Sequence, residues 1–251
     1  NRRFWYSPKC IGLGPYLARA GFDVWIAEMR GHGLSPRNQA YSQNTVADYA
    51  RYDLPAIADF VREQNGQAPH WVGHSLGGFL SVMAAAQHPE LVRGVVLLDS
   101  PLLGGWKANA VGVAKSTQMV GSISPGKVSK QRRFSWASND EALEHFLKKK
   151  AFARWHPEVL QDYVRHGLKD EDGKRVLVFD RAIETTIYNT LPHNLGAILR
   201  THPLQCPAAF IGGRDSDEMK QVGIAMTLRI TKGRTMMLDG SHLFPMEQPI
   251  A

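Results

Sequence analysis

Cysteine is scarce in this sequence: Cys10 and Cys206 are the only two among 251 residues. That excludes a disulfide framework and a cysteine-rich zinc module. Long apolar runs are missing too. Stretches such as 82–86 (VMAAA) fall far short of the roughly 18–20 apolar residues a membrane-spanning helix needs. There is no Walker sequence for cradling phosphates and no zinc-finger, RNA-recognition or basic-zipper pattern, so nucleic acid is not an expected partner. His70 and His74 are four apart but fall on a strand and the turn after it, where they share no helix face, so no metal is expected. No cofactor is implied.

Acidic residues are outnumbered, 23 against 30 Lys and Arg, for a net charge of +7. Most of the excess lies in segment 127–154, where Lys127, Lys130, Arg132, Arg133, Lys148, Lys149, Lys150 and Arg154 face only Asp140, Glu141 and Glu144. A solvated basic face explains this, and an anionic lipid interface is the functional alternative. At 43% hydrophobic and 21% charged the chain has the balance of a globular protein with a substantial core.

Short apolar runs alternate with helical patterns. Residues 22–28, 70–72, 92–98, 208–212 and 235–238 read as buried strands, being nearly continuous in apolar residues. Helical patterns fall at 15–20, 46–63, 76–87 and 219–230. Such alternation predicts right-handed crossovers and an α/β, doubly wound, mostly parallel sheet. The rhythm breaks between Pro101 and about His202. There Ser138–Glu141 forms a capping-box start, Pro157 sits at a good first helical position, 170–173 is a polar turn, and Pro192 ends another helical pattern. A mainly helical cap at 101–203, inserted into a core of 1–100 and 204–251, is the expected organisation. Both ends read as cut, so leading strands and a closing helix are expected to be absent from this chain.

Gly73-His74-Ser75-Leu76-Gly77 fits G-x-S-x-G, with a strand candidate running into it and a helix of small residues leaving it. That is the context of a nucleophile elbow, in which a serine sits on a strained strand-to-helix turn with its hydroxyl exposed. Glycines flank the serine so that the chain can pack closely. A serine hydroxyl is a weak nucleophile that needs a base, and the base needs an orienting carboxylate. On an elbow fold these follow in the order Ser, acid, His, at carboxyl ends of strands. His242 follows the last strand candidate and is the expected base. Asp215, after the strand at 208–212, is the expected acid; Asp99, ending the preceding strand, is the alternative.

With these residues in place the sequence resembles the α/β-hydrolase superfamily over 22–100 and 206–249. Arg30-Gly31-His32-Gly33-Leu34-Ser35 is similar to the R-G-H-G-x-S turn after that family's fourth strand. His242 through Pro249 is similar to its H-x-x-x-x-E-x-P ending. Tyr52-Asp53-Leu54-Pro55-Ala56, Val72-Gly73-His74-Ser75 and Gly212-Gly213-Arg214-Asp215 resemble motifs of the acid-lipase branch, with Leu76 where that branch has glutamine. The resemblance implies cleavage of a small-molecule carboxylic ester through an acyl-enzyme on Ser75. It also implies an oxyanion hole from the Leu76 backbone N–H and a second donor that would precede Asn1. An acyl thioesterase, or a ligand-binding member without turnover, is the alternative. The cap aromatics Trp106, Phe134, Trp136, Phe146, Phe152 and Trp155, with Met119, are expected to shape an apolar pocket.

Overall fold

The computed structural model describes residues 4–7, 9, 12–104, 125–190 and 194–249. Trp106, Met119 and Pro192 lie outside them. Seven strands occur among the described residues: β1 (His70–His74), β2 (Gly94–Leu98), β3 (Ser135–Trp136), β4 (Leu168–Glu171), β5 (Lys174–Leu177), β6 (Ala208–Gly213) and β7 (Thr235–Leu238). Four form one parallel sheet in the order β1-β2-β6-β7, with Val72 opposite Val96, Val95 opposite Ala208 and Ile211 opposite Met236. The apolar β2 is covered on both faces, with Leu97 and Leu98, which point to opposite faces, at 0% and 4% exposure. Because all four strands run the same way, their carboxyl ends share one edge of the sheet. Ser75, Asp99, Arg214–Ser216 and the loop leading to His242 all emerge there.

The helix Leu76–Gln87 leaves β1 and packs on β1 and β2. Its residues Leu80–Ala86 are buried on every side, which the run of alanines permits because small side chains let sheet and neighbouring helices approach closely. The expected helix at 46–63 forms in three parts. Thr45 and Asp48 cap Val46–Asp48 reciprocally, a wide turn spans Tyr49–Asp53, and Leu54–Asn65 continues to Gly66, whose φ of 70° ends it. The wide turn ends on buried Asp53, whose carboxylate accepts from Arg30 N (2.9 Å) and Nε (2.6 Å). Two of the motifs noted in the sequence thus meet through one carboxylate.

Two expectations need correction, and one feature of the mainly helical insertion was not foreseen. Residues 22–28 form no strand; a strand needs a ladder partner for its amides and carbonyls, and here Phe22 and Trp25 remain exposed. The helix expected at 219–230 is broken at Gly223 (φ 83°) into Asp217–Val222 and Ala225–Thr231. The inserted segment is not only helical: β3, β5 and β4 form a small antiparallel sheet, with β4 and β5 joined through Asp172 and Gly173, both at positive φ.

That insertion holds its own apolar cluster, built from Trp136, Ala142, Phe146, Leu160, Val164 and Leu168, with Phe152 and Trp155 packed against it. Trp136 and Phe146 are therefore core of the insertion rather than lining of a pocket. Phe134 is exposed, with the Arg181 guanidinium 3.9 Å above its ring. Farther along, Ile183, Ile187, Leu195 and Leu199 bury in the main cluster with the sheet and the Leu76–Gln87 helix. The basic stretch is partly neutralised: Arg132 pairs with Glu184, Arg133 with Glu141, Lys148 with Glu144 and Arg154 with Asp215.

Candidate active site

Ser75 stands between β1 and the Leu76–Gln87 helix with φ 52° and ψ −120°. A non-glycine residue in this region costs about 1–3 kcal/mol and survives only when its surroundings hold it there. The Ser75 N–H donates to Leu98 O (3.1 Å), and its carbonyl accepts from Gly78 N (3.0 Å) and from Ser100 Oγ (2.8 Å). Two glycines make room for this turn. A Cβ on Gly73 would lie 2.4 Å from the backbone of Gly77, and one on Gly78 would lie 2.2 Å from Ser100 Oγ. Gly77, the second glycine of the sequence motif, has open space where its Cβ would stand. The crowding that glycine relieves therefore falls at 73 and 78, not at 73 and 77. Ser100 and Gly78 were missed in the sequence, although Ser100 stands directly after the strand-ending Asp99.

Leu76 begins the helix, where no carbonyl four residues back is available to its N–H. Among the described residues that N–H makes no hydrogen bond, leaving it free at the helix's positive end.

The loop after β7 carries His242. Gly240, at φ 132°, turns the chain where a Cβ would collide with Phe244. Glu247 then reaches back: its carboxylate accepts from Ser241 N (3.0 Å) and from the Ser241 hydroxyl. This explains the glutamate of the H-x-x-x-x-E-x-P ending, which clamps the residue before the histidine. His74 Nε2 donates to the His242 carbonyl at 2.7 Å, and the two rings lie 4.7 Å apart. Burial, with His242 adjacent, pushes the His74 pKa down to about 4, so His74 is a neutral donor that supports the loop without adding charge beside it.

His242 Nδ1 meets Asp99 Oδ2 at 2.7 Å. Asp99 is wholly buried, sits at φ 42°, and also accepts from Gly213 N (2.8 Å, Oδ1) and Ser216 Oγ (2.6 Å, Oδ2). Asp215, expected to orient the histidine, is not the carboxylate brought against it. Asp215 points outward, 59% exposed, and pairs with Arg154 at 2.8 Å. It is the next residue, Ser216, that turns inward to Asp99. The positive φ at the end of β2 swings the Asp99 carboxylate to the His242 imidazole. Glu218 Oε2 lies 3.8 Å from His242 Nδ1, so Asp99, Glu218 and His242 bring three donor atoms within 4.8 Å of one another, among the described residues the nearest approach to a cation-holding set. No hydrogen bond joins Ser75 Oγ to His242 in this structure; such contacts often tighten only when substrate binds.

A parallel α/β sheet, a serine on a strained elbow and an aspartate-held histidine at the same edge define the α/β-hydrolase class. Comparison with known proteins agrees. The family model for the alpha/beta hydrolase fold matches residues 3–173, and the chain belongs to that family. It is 39% identical over 85 residues to mouse gastric triacylglycerol lipase (Mus musculus), a match covering 31% of this chain and 22% of that protein. It is 37% identical over 89 residues to human lysosomal acid lipase/cholesteryl ester hydrolase (Homo sapiens), covering 32% and 22%. The chain thus matches about a fifth of the length of these curated relatives. Among solved structures, E-2-(acetamidomethylene)succinate hydrolase superposes with a TM-score of 0.64 at 22% identity, covering 88% of this chain and 74% of that one. A thioesterase domain from the curacin biosynthetic pathway gives 0.63 at 17%, covering 88% and 75%. The expectation of an α/β-hydrolase fold is borne out.

Proposed function

We propose that the protein hydrolyses a carboxylic ester through Ser75, His242 and Asp99. The observation that carries this reading is the 2.7 Å contact of His242 Nδ1 with buried Asp99, on the same sheet edge as a serine held at φ 52°. The Asp99 carboxylate, accepting at Oδ2, keeps the imidazole proton on Nδ1 and leaves the Nε2 lone pair to take the Ser75 proton. The serine oxygen then attacks the ester carbonyl carbon. The developing oxyanion is met by the free N–H of Leu76, preorganised at the helix end. His242 returns the proton to the departing alcohol, and water, deprotonated by the same nitrogen, releases the acid from the acyl-enzyme.

An oxygen ester is favoured because the matched curated relatives are named as lipases. The test is hydrolysis of a chain-length series of p-nitrophenyl esters and acyl thioesters by the protein and by Ser75→Ala. Activity abolished by that substitution is the expected result; equal rates would eliminate the enzymatic reading. Faster thioester turnover would move the substrate class to thioesters.

A further inference from the structure

The motif residue that the proposed chemistry leaves unused is Asp215, and its partner shows what it does. Arg154 lies in the inserted segment, in a short stretch held on both sides by Phe152 and Trp155, which pack against the insertion's own core. Its guanidinium reaches out of that segment to two loops of the sheet edge at once. Arg154 Nη1 meets Asp215 Oδ2 at 2.8 Å, and Arg154 Nε lies 3.4 Å from Glu247 Oε2. Next to it, His156 N donates to Met246 O at 2.9 Å.

Each of those carboxylates is one step from the proposed triad. Glu247, whose side chain is only 6% exposed, holds Ser241 by its N–H and hydroxyl, and Ser241 precedes His242. Asp215 precedes Ser216, whose hydroxyl donates to Asp99 at 2.6 Å. The two loops are also joined directly, since Asp215 N donates to Gly240 O at 2.9 Å. As a stability device the arrangement is weak: Arg154 and Asp215 are about half exposed, and such pairs contribute little to folding. Its geometry matters more. A planar guanidinium with a rigid fork of donors fixes the geometry between two carboxylates from different loops more closely than a compact, rotating ammonium can.

We infer that Arg154 is a positioning residue, a latch by which the inserted segment sets the loops that hold His242 and Asp99 in register. This rests on the triad reading above. When the latch is closed, both ends of the His242–Asp99 hydrogen bond are braced from the same guanidinium. Without the Arg154 guanidinium, Glu247 loses its counter-charge and the Asp215 loop loses its outer tie.

The test compares Arg154→Ala and Arg154→Lys with the wild-type chain by two readouts. The first is kcat and KM for a p-nitrophenyl ester. The second is the downfield proton NMR signal of the Asp99-bound His242 Nδ1–H, which needs no turnover. Arg154→Ala is expected to lower kcat by roughly ten- to a hundredfold, the scale of slight misplacement at a distance, with KM little changed. Its Nδ1–H signal should broaden through faster exchange. Arg154→Lys should recover part of both. Far-UV circular dichroism confirms that the variants fold. An Arg154→Ala protein with wild-type kcat and an unaltered Nδ1–H signal overturns the latch. Absence of ester hydrolysis by the wild-type chain, with the signal still sensitive to Arg154, would instead overturn the proposed activity and leave the latch standing.

Discussion

Asparagine at position 99 keeps the shape of the aspartate and changes only which of its atoms accept. In the structure Oδ1 takes the Gly213 N–H, and Oδ2 takes both the Ser216 hydroxyl and His242 Nδ1. An amide has one oxygen, so its NH2 group must face one of these two sides. Placed toward Gly213 it would set donor against a backbone donor, and a backbone N–H cannot turn away. Placed toward Ser216 and His242 the conflict is relieved, because the hydroxyl can rotate to accept and the imidazole can shift its proton. The second arrangement therefore wins, and it moves the His242 proton from Nδ1 to Nε2. A base protonated on the nitrogen that should accept the serine proton cannot start the reaction. Asp99→Asn is thus expected to lower kcat by about 10⁴ while leaving the fold intact, the scale an acid-to-amide change has on a triad of this kind. Asp215→Asn is the matched control. It keeps an oxygen for the Arg154 guanidinium and weakens only one of its two ties, so kcat should fall less than in Arg154→Ala, by no more than about tenfold. Steady-state hydrolysis of a p-nitrophenyl ester, with denaturation midpoints to check folding, measures both. A collapse of kcat in Asp215→Asn, with Asp99→Asn still active, would refute the acid assignment and reinstate the order suggested by the sequence motif.

Other outcomes follow from the same geometry. Ser75→Ala should abolish labelling by a fluorophosphonate and lower kcat by about 10⁶, the scale seen when a triad nucleophile is removed. Gly73→Ala should destabilise by about 3 kcal/mol or more, because its methyl would meet rigid backbone in an already packed turn. Gly77→Ala, with open space at that point, should be neutral or up to about 1 kcal/mol stabilising in the helix's first turn; denaturant titration of the pair checks the contrast, and equal destabilisation would refute it. Burial pushes the pKa of both His32 and His74 down to about 4 from the ordinary value of 6.5. The unfolded chain therefore takes up protons that the folded chain refuses as pH falls below 6.5. Stability should be level above that pH and decline toward pH 4, at up to about 1.4 kcal/mol per pH unit for each ring. Denaturation midpoints at pH 7.5, 6 and 5 measure the decline, and a flat profile would show that these rings are protonated in the fold.

Much of the architecture was legible because it depends on local pattern. Four of the five expected strands form, each a nearly continuous apolar run, and the glycines around Ser75 mark a turn that only an elbow needs. The strand expected at 22–28 failed because apolar content states only that a segment can be buried, not that a neighbour exists to complete its ladder. In the inserted segment the hairpin of β4 and β5 escaped notice because its strands are rich in lysine, arginine and acid, with little alternation. Its one clear signal was Asp172-Gly173, a pair suited to two successive positive φ values; the structure has them at 50° and 71°.

The acid was harder for a different reason. Asp99 and Asp215 both follow parallel strands, both precede His242, and both stand at the right edge of the sheet, so chain order cannot separate them. What separates them is the surroundings of each carboxylate. Asp99 ends a strand with neighbours on both sides and turns at φ 42° into a pocket already furnished with Gly213 N and Ser216 Oγ. Asp215 has its N–H drawn to Gly240 O and its side chain turned outward to Arg154. On the proposed triad, the Gly-Gly-Arg-Asp motif marks the loop that supports the acid rather than the acid itself. In that reading the motif contributes the Gly213 amide and the Ser216 hydroxyl that hold Asp99, while Asp215 meets the inserted segment through Arg154.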